Sequence, residues 1–183
     1  MTYIEANGTG DNLMKPLVCD LPYPSIKFLT KDARSGNIIS FAYATQKGEL
    51  TSVLQYTYHK FFMEKKDADF ARTLMQIAAA EMKHLDILGG AMLKLGVNPE
   101  FLQYPNSRLY YNASAVSKST LPQKIISDDI QGELDAIANY QKMLFVLKNE
   151  QVEAIIKRII LDEQLHLETL KKYRKNIERN GRF

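Results

Sequence analysis

The chain repeats itself around a short string that carries a carboxylate and an imidazole. Glu81-Met82-Lys83-His84-Leu85-Asp86-Ile87-Leu88 returns as Glu163-Gln164-Leu165-His166-Leu167-Glu168-Thr169-Leu170, so both copies read Glu-x-x-His-Leu-acid-x-Leu. A second matched pair lies upstream: Gly48-Glu49-Leu50 with Tyr56, and Gly132-Glu133-Leu134 with Tyr140. The outer glutamates stand 84 positions apart and the inner ones 82. So constant an offset within 183 residues favours one fold built from two halves over two separate domains.

Hydrophobic spacing places each half on a pair of helices. From Asn37 to about Met63, Ile38, Ala42, Thr45, Glu49, Val53 and Tyr56 fall at the three-and-four spacing of one helical face, which predicts a first helix. The polar link Lys65 to Asp69 offers aspartate N-caps for a second helix, which ends near Leu95 where Gly96 and Pro99 stop it. Pro122 suits the first position of a third helix, running to about Lys148. A fourth follows the break at Asn149 and frays into a charged tail. Residues 97 to about 121 are rich in Asn, Ser, Tyr and Pro without clean periodicity, as a long crossover requires. The expectation is an all-α, antiparallel four-helix bundle with one long crossover between its second and third helices. Its parts are an extended arm over residues 1–36, the bundle over 37–178 and a tail over 179–183. The breakers Gly8, Gly10, Pro16, Pro22, Pro24 and Gly36 allow the arm at most a short helix around Ser25 to Ala33.

On a helix, positions i and i+3 share a face, so Glu81 with His84 and Glu163 with His166 each present an oxygen and a nitrogen to one ion. Glu49 and Glu133 complete a set of four carboxylates and two imidazoles. Glu49 and Glu81 lie about equally far from the first hairpin link, and Glu133 and Glu163 from the second, so all six reach one depth in the bundle. An unpaired ionised carboxylate in an apolar core costs several kcal/mol. Divalent cations are the economical explanation for four of them. Tyr56 and Tyr140 stand two turns beyond Glu49 and Glu133 on the same faces, and each buried phenol is expected to bond a carboxylate of the opposite half. His59 falls off the Glu49 stripe and is read as a surface residue.

Composition narrows the partners. The formal charge is +3, but 24 basic and 21 acidic residues are interspersed, so nucleic acid is not expected as a partner. Cys19 is the one cysteine, which leaves neither a disulfide framework nor a Cys-x-x-Cys knuckle. No apolar run approaches the ~20 residues of a membrane span. Met1 to Asp11 is unlike a signal peptide, and a cytoplasmic location is the default expectation.

The residues Glu49, Tyr56, Glu81-x-x-His84, Glu133, Tyr140 and Asp162-Glu163-x-x-His166 resemble the ligand pattern of the ferritin-like superfamily, in its rubrerythrin-like and bacterioferritin-like branch. The resemblance covers residues 37 to 178. It implies two metal ions per chain, iron or manganese, reacting with hydrogen peroxide or dioxygen. Glu81 and Glu163 would bridge the ions, Glu49 and Glu133 would be terminal ligands, and His84 and His166 would each bind one. Departures from the family qualify this. A single cysteine excludes the rubredoxin-like domain of rubrerythrins, and Ala136 stands where they carry an extra glutamate. Bacterioferritins share the string Glu-Met-Lys-His, whose methionine can ligate haem. Met82 is read instead as a packing residue, and haem is not expected. Only 17 residues follow His166, too few for the added short helix of cage-forming ferritins, so a homodimer or small homo-oligomer is expected.

The leading expectation is an oxidoreductase that removes hydrogen peroxide, as a rubrerythrin-like peroxidase with an external electron donor or in the manner of manganese catalases. Those catalases keep Glu, Glu-x-x-His, Glu and Glu-x-x-His in the same order. The alternatives are a ferroxidase or iron-storage protein, and a non-catalytic coat or scaffold stabilised by its metals.

Overall fold

The computed structural model describes residues 15–180; the first part of the expected arm and the end of the expected tail lie outside them. Five α-helices and no strand occur among these residues: α1 (Ala33–Tyr43), α2 (Glu49–Met63), α3 (Ala68–Leu95), α4 (Pro122–Val146) and α5 (Glu150–Asn180). Local chemistry sets their ends. The Asp67 side chain accepts the backbone N–H of Phe70 at 2.9 Å to cap α3, whose other end closes on Gly96 at a φ of 88°. Pro122 opens α4, and Asn149 caps α5 through the N–H of Val152 at 3.2 Å. The helices α2 and α3 pack together most extensively, followed by α4 and α5, which gives two hairpins joined by the 97–121 crossover. That crossover holds only an isolated bridge between Leu102 and Tyr110 and a 3-10 turn at Ala113–Ala115.

The expected first helix is two helices. The chain breaks at residues 44–48, so Glu49 opens α2 while its repeat partner Glu133 lies in the middle of α4. The break rests on Gly48: a Cβ there would stand 2.5 Å from the Ala42 carbonyl oxygen, with that backbone unable to retreat. Thr51 Oγ1 donates to the Thr45 carbonyl at 3.0 Å and fixes the turn. Gly48→Ala is expected to cost about 1–3 kcal/mol, measurable as a lowered midpoint of thermal unfolding. Helix α1 also begins at Ala33, inside the stretch assigned to the arm. Asp32 caps it, accepting from the Ser35 N–H at 3.1 Å. In place of a short helix over Ser25 to Ala33 there is a 3-10 turn at Ile26–Phe28.

Two further expectations are corrected. His59 is fully buried: its Nδ1 lies 2.8 Å from Asp129 Oδ1, and Gln55 Nε2 donates to the same oxygen at 3.0 Å. Its face of α2 meets α4, where the aspartate supplies a partner that spacing from Glu49 could not reveal. Met82 is 42 % exposed and so fills no core position in this chain.

The apolar interior falls into two clusters. One gathers Leu88, Met92 and Leu95 of α3 with Met143 of α4 and Val152 to Ile160 of α5. The other gathers Phe70 to Ala78 with Ile125 to Ile130 and with Leu167, Leu170 and Ile177. The Glu-x-x-His strings fall in the gap between them, clamped from both ends. No helix is long and apolar enough to cross a membrane among the described residues.

Candidate metal centre

Glu49, Glu81, His84, Glu133, Glu163 and His166 are all buried and come together between the two clusters. They form two overlapping groups, Glu49, Glu81, His84 and Glu163, and Glu81, Glu133, Glu163 and His166. In each group the ligand atoms lie within 4.8 Å of one another. Glu81 and Glu163 belong to both. His84 Nδ1 stands 3.2 Å from Glu81, 3.1 Å from Glu163 and 3.6 Å from Glu49. His166 Nδ1 stands 3.2 Å from Glu81, 3.6 Å from Glu133 and 3.7 Å from Glu163. Both rings therefore turn Nδ1 inward and Nε2 outward.

What each Nε2 meets fixes the tautomer. The His166 Nε2–H donates to the Leu17 carbonyl at 2.8 Å; a carbonyl only accepts, so the neutral ring leaves its Nδ1 lone pair facing the carboxylates. The His84 Nε2–H donates to Asp162 Oδ2 at 3.1 Å with the same result. Asp162 is fully buried and also takes the Cys19 N–H at 2.7 Å, the Tyr23 hydroxyl, and an ion pair with Arg158 at 2.7 Å. The phenols hold the outer carboxylates. Tyr56 donates to Glu133 and Tyr140 donates to Glu49, each across to the other half of the repeat.

Electrostatics show how the cluster carries its charge. Burial pushes the pKa of Glu49 well above the usual carboxyl range, with Glu81 and Glu163 adding to it; burial and Glu163 do the same to Glu133. Burial opposes the charged form of His84 but is outweighed by Asp162, Glu163, Glu49 and Glu81, so its pKa rises well above normal. Burial is likewise outweighed at His166, by Glu133, Glu163 and Glu81. Glu81 and Glu163 move down: burial raises each, but hydrogen bonds from the histidines, and for Glu81 from Glu49, prevail. Burial and the neighbouring carboxylates push both phenols well above their ordinary range, so they remain protonated donors. Without a cation the cluster balances its carboxylates with protons.

The residues present fit a pair of hard cations. Glu133 Oε2 is buried and makes no hydrogen bond, which costs about 1–3 kcal/mol, while Glu163 Oε1 and His166 Nδ1 meet only other groups of the cluster. Carboxylate oxygens with one imidazole per position suit iron or manganese.

Sequence spacing missed the outer layer. Asp162 stands immediately before the repeated string, where its counterpart before Glu81 is Ala80, and that inequality is the available signal. The Leu17 carbonyl carries no side-chain signal at all.

The helices, the two hairpins and the buried carboxylate and histidine cluster define the class. The ferritin-like domain family matches residues 44–180, and the chain belongs to it. Among solved structures, a manganese catalase from Anabaena superposes with a TM-score of 0.77 at 18 % identity, covering 90 % of this chain and 80 % of that one. A Rhodobacter capsulatus bacterioferritin gives 0.66 at 22 %, covering 82 % and 89 %. A bacterioferritin-related dodecameric thioferritin from Bacteroides fragilis gives 0.67 at 21 %, covering 85 % and 95 %. Comparison with curated protein sequences gives no match.

Proposed function

We propose that the chain binds two iron or manganese ions, one held by Glu49, Glu81, His84 and Glu163 and the other by Glu81, Glu133, Glu163 and His166, and removes hydrogen peroxide as an oxidoreductase. The observation that carries this reading is the pair of buried ligand groups that share Glu81 and Glu163. When bound, adjacent redox metals supply a two-electron exchange with the peroxide O–O bond. The protein's own residues do the rest. Glu81 and Glu163 keep the two positions close enough to act on one small molecule. Tyr56 and Tyr140 hold Glu133 and Glu49 against reorientation while keeping their own protons. The apolar clusters on either side exclude bulk water. The similarity to a manganese catalase is compatible with disproportionation, for which a second peroxide would serve as the electron donor. A peroxidase instead draws electrons from an external donor.

Elemental analysis of natively expressed protein, run beside a peroxide-consumption assay, tests the reading. Metal near two ions per chain with dioxygen evolution indicates a catalase, and consumption only with a donor indicates a peroxidase. Fully metallated protein that leaves peroxide untouched in both assays removes the enzymatic reading and favours a metal-stabilised scaffold. The ferroxidase alternative requires Fe(II) oxidation with mineral retained in a cage, and sedimentation showing only a dimer argues against it.

Tyr56→Phe is expected to weaken metal binding on the Glu133 side by about tenfold, the usual cost of losing a group that orients a ligand. Titration with Mn(II) followed by calorimetry checks this, with the second position as internal reference.

A further inference from the structure

One short segment reaches the outer nitrogen of His166 directly and that of His84 through Asp162. Leu17 receives His166 on its carbonyl, while its N–H donates to the Gln76 carbonyl of α3 at 3.0 Å. Two residues on, the Cys19 N–H bonds Asp162, and the Tyr23 hydroxyl bonds the other oxygen of that carboxylate, which in turn holds His84. Arg158 fastens the segment to α5: Nε donates to the Leu21 carbonyl at 3.0 Å, and Nη2 donates to Cys19 at 2.8 Å and to Leu21 at 2.9 Å. Its guanidinium also lies 4.2 Å from the centre of the Tyr23 ring, and Lys83 Nζ lies 4.6 Å from it. The segment bridges α3 and α5, which pack on each other far less than α2 does on α3. Pro16, Pro22 and Pro24 restrict its backbone in advance and reduce the entropy lost on docking.

We infer that residues 17–23 are a strap belonging to the metal centre: they orient both histidine ligands, so strap docking and metal binding form one linked equilibrium. The inference rests on the dinuclear reading above. An undocked strap leaves His166 Nε2 without the acceptor that fixes its tautomer, and leaves Asp162, which holds His84, without two of its donors and so less firmly oriented. Linkage is reciprocal, and the factor by which the docked strap tightens metal binding equals the factor by which metal tightens the strap. Arg158, which touches neither ion position, acts here as a positioning residue.

Hydrogen exchange of the intact protein, metal-free and loaded with Mn(II) or with Fe(II) under argon, tests this. Amide exchange across 17–23 is expected to slow about tenfold or more on loading, and alkylation of Cys19, the one thiol, is expected to slow with it. Arg158→Gln should weaken metal binding by about 10–100-fold while two ions still bind at saturation, and Arg158→Lys should recover part of the loss. If Arg158→Gln does not fold, Tyr23→Phe removes one donor to Asp162 with the ring retained and should shift affinity in the same direction. Variants that lower thermal stability with unchanged metal affinity, or strap exchange indifferent to loading, overturn the strap's role and leave the dinuclear reading standing. A wild-type chain that binds neither ion overturns both.

Discussion

Glu163→Ala is expected to abolish metal binding at both positions, whereas Glu133→Ala removes one ion of two. The difference follows from membership: Glu163 belongs to both ligand groups and Glu133 to only one. His166→Ala should behave like Glu133→Ala. Helical content should survive each change, because alanine favours helix and the flanking Ile156, Ile159, Leu167 and Leu170 keep α5 packed. Elemental analysis against protein concentration, with far-ultraviolet circular dichroism on the same samples, gives the answer. Full metal content in Glu163→Ala would place the ions elsewhere, and collapse of helicity would make the cluster structural.

Metal loading should also invert the pH dependence of stability. In the metal-free protein, His84 and His166 have raised pKa values, so their stabilising contribution is full below the unfolded value of about 6.5 and is lost as pH rises through the folded one. The raised carboxyls of Glu49 and Glu133 act in the same sense, since the unfolded chain sheds those protons first as pH climbs past about 4.3. Glu81, Glu163 and Asp162 have lowered values; their contribution is present above about 4 and is lost in more acidic solution. Metal-free protein should thus be most stable under mildly acidic conditions. Metal displaces the inner protons of both imidazoles, so at least two are released and the combined affinity should fall about a hundredfold for each pH unit lost. At free metal about a thousandfold above Kd, one position adds about 4 kcal/mol, or about 8–16 °C in a domain of this size. Melting curves with metal or chelator from about pH 5 to about pH 8 should diverge as pH rises. Curves that stay parallel would mean that metal and protons do not compete for these groups.

The parts legible in the sequence were those with a period or a repeat. Helices α3, α4 and α5 combine an apolar stripe with a cap at Asp67, Pro122 or Asn149, and the repeated strings single out the six residues now found together. The break between α1 and α2 stayed hidden because residues 37 to 63 keep helical spacing across it, and only the backbone contact of Gly48 with Ala42 forbids one continuous helix. Spacing misplaces His59 because its partner, Asp129, is 70 positions away. The strap was invisible for a deeper reason: it is held largely by main-chain groups, which every residue carries alike. Arg158 reads as an ordinary charge on a helix until the carbonyls of Cys19 and Leu21 are seen beneath it.

The sharing of Glu81 and Glu163 bears on how the two hairpins are joined. Each proposed ion draws ligands from both hairpins, so neither hairpin alone owns a complete position. The 97–121 crossover supplies no ligand to either group. Its contribution is effective concentration: it turns the meeting of two half-sites from a bimolecular event into an intramolecular one. In those terms the chain is a tethered dimer of its own repeat, and a cut within the crossover should leave two fragments held together by the shared apolar clusters and, on loading, by the metals.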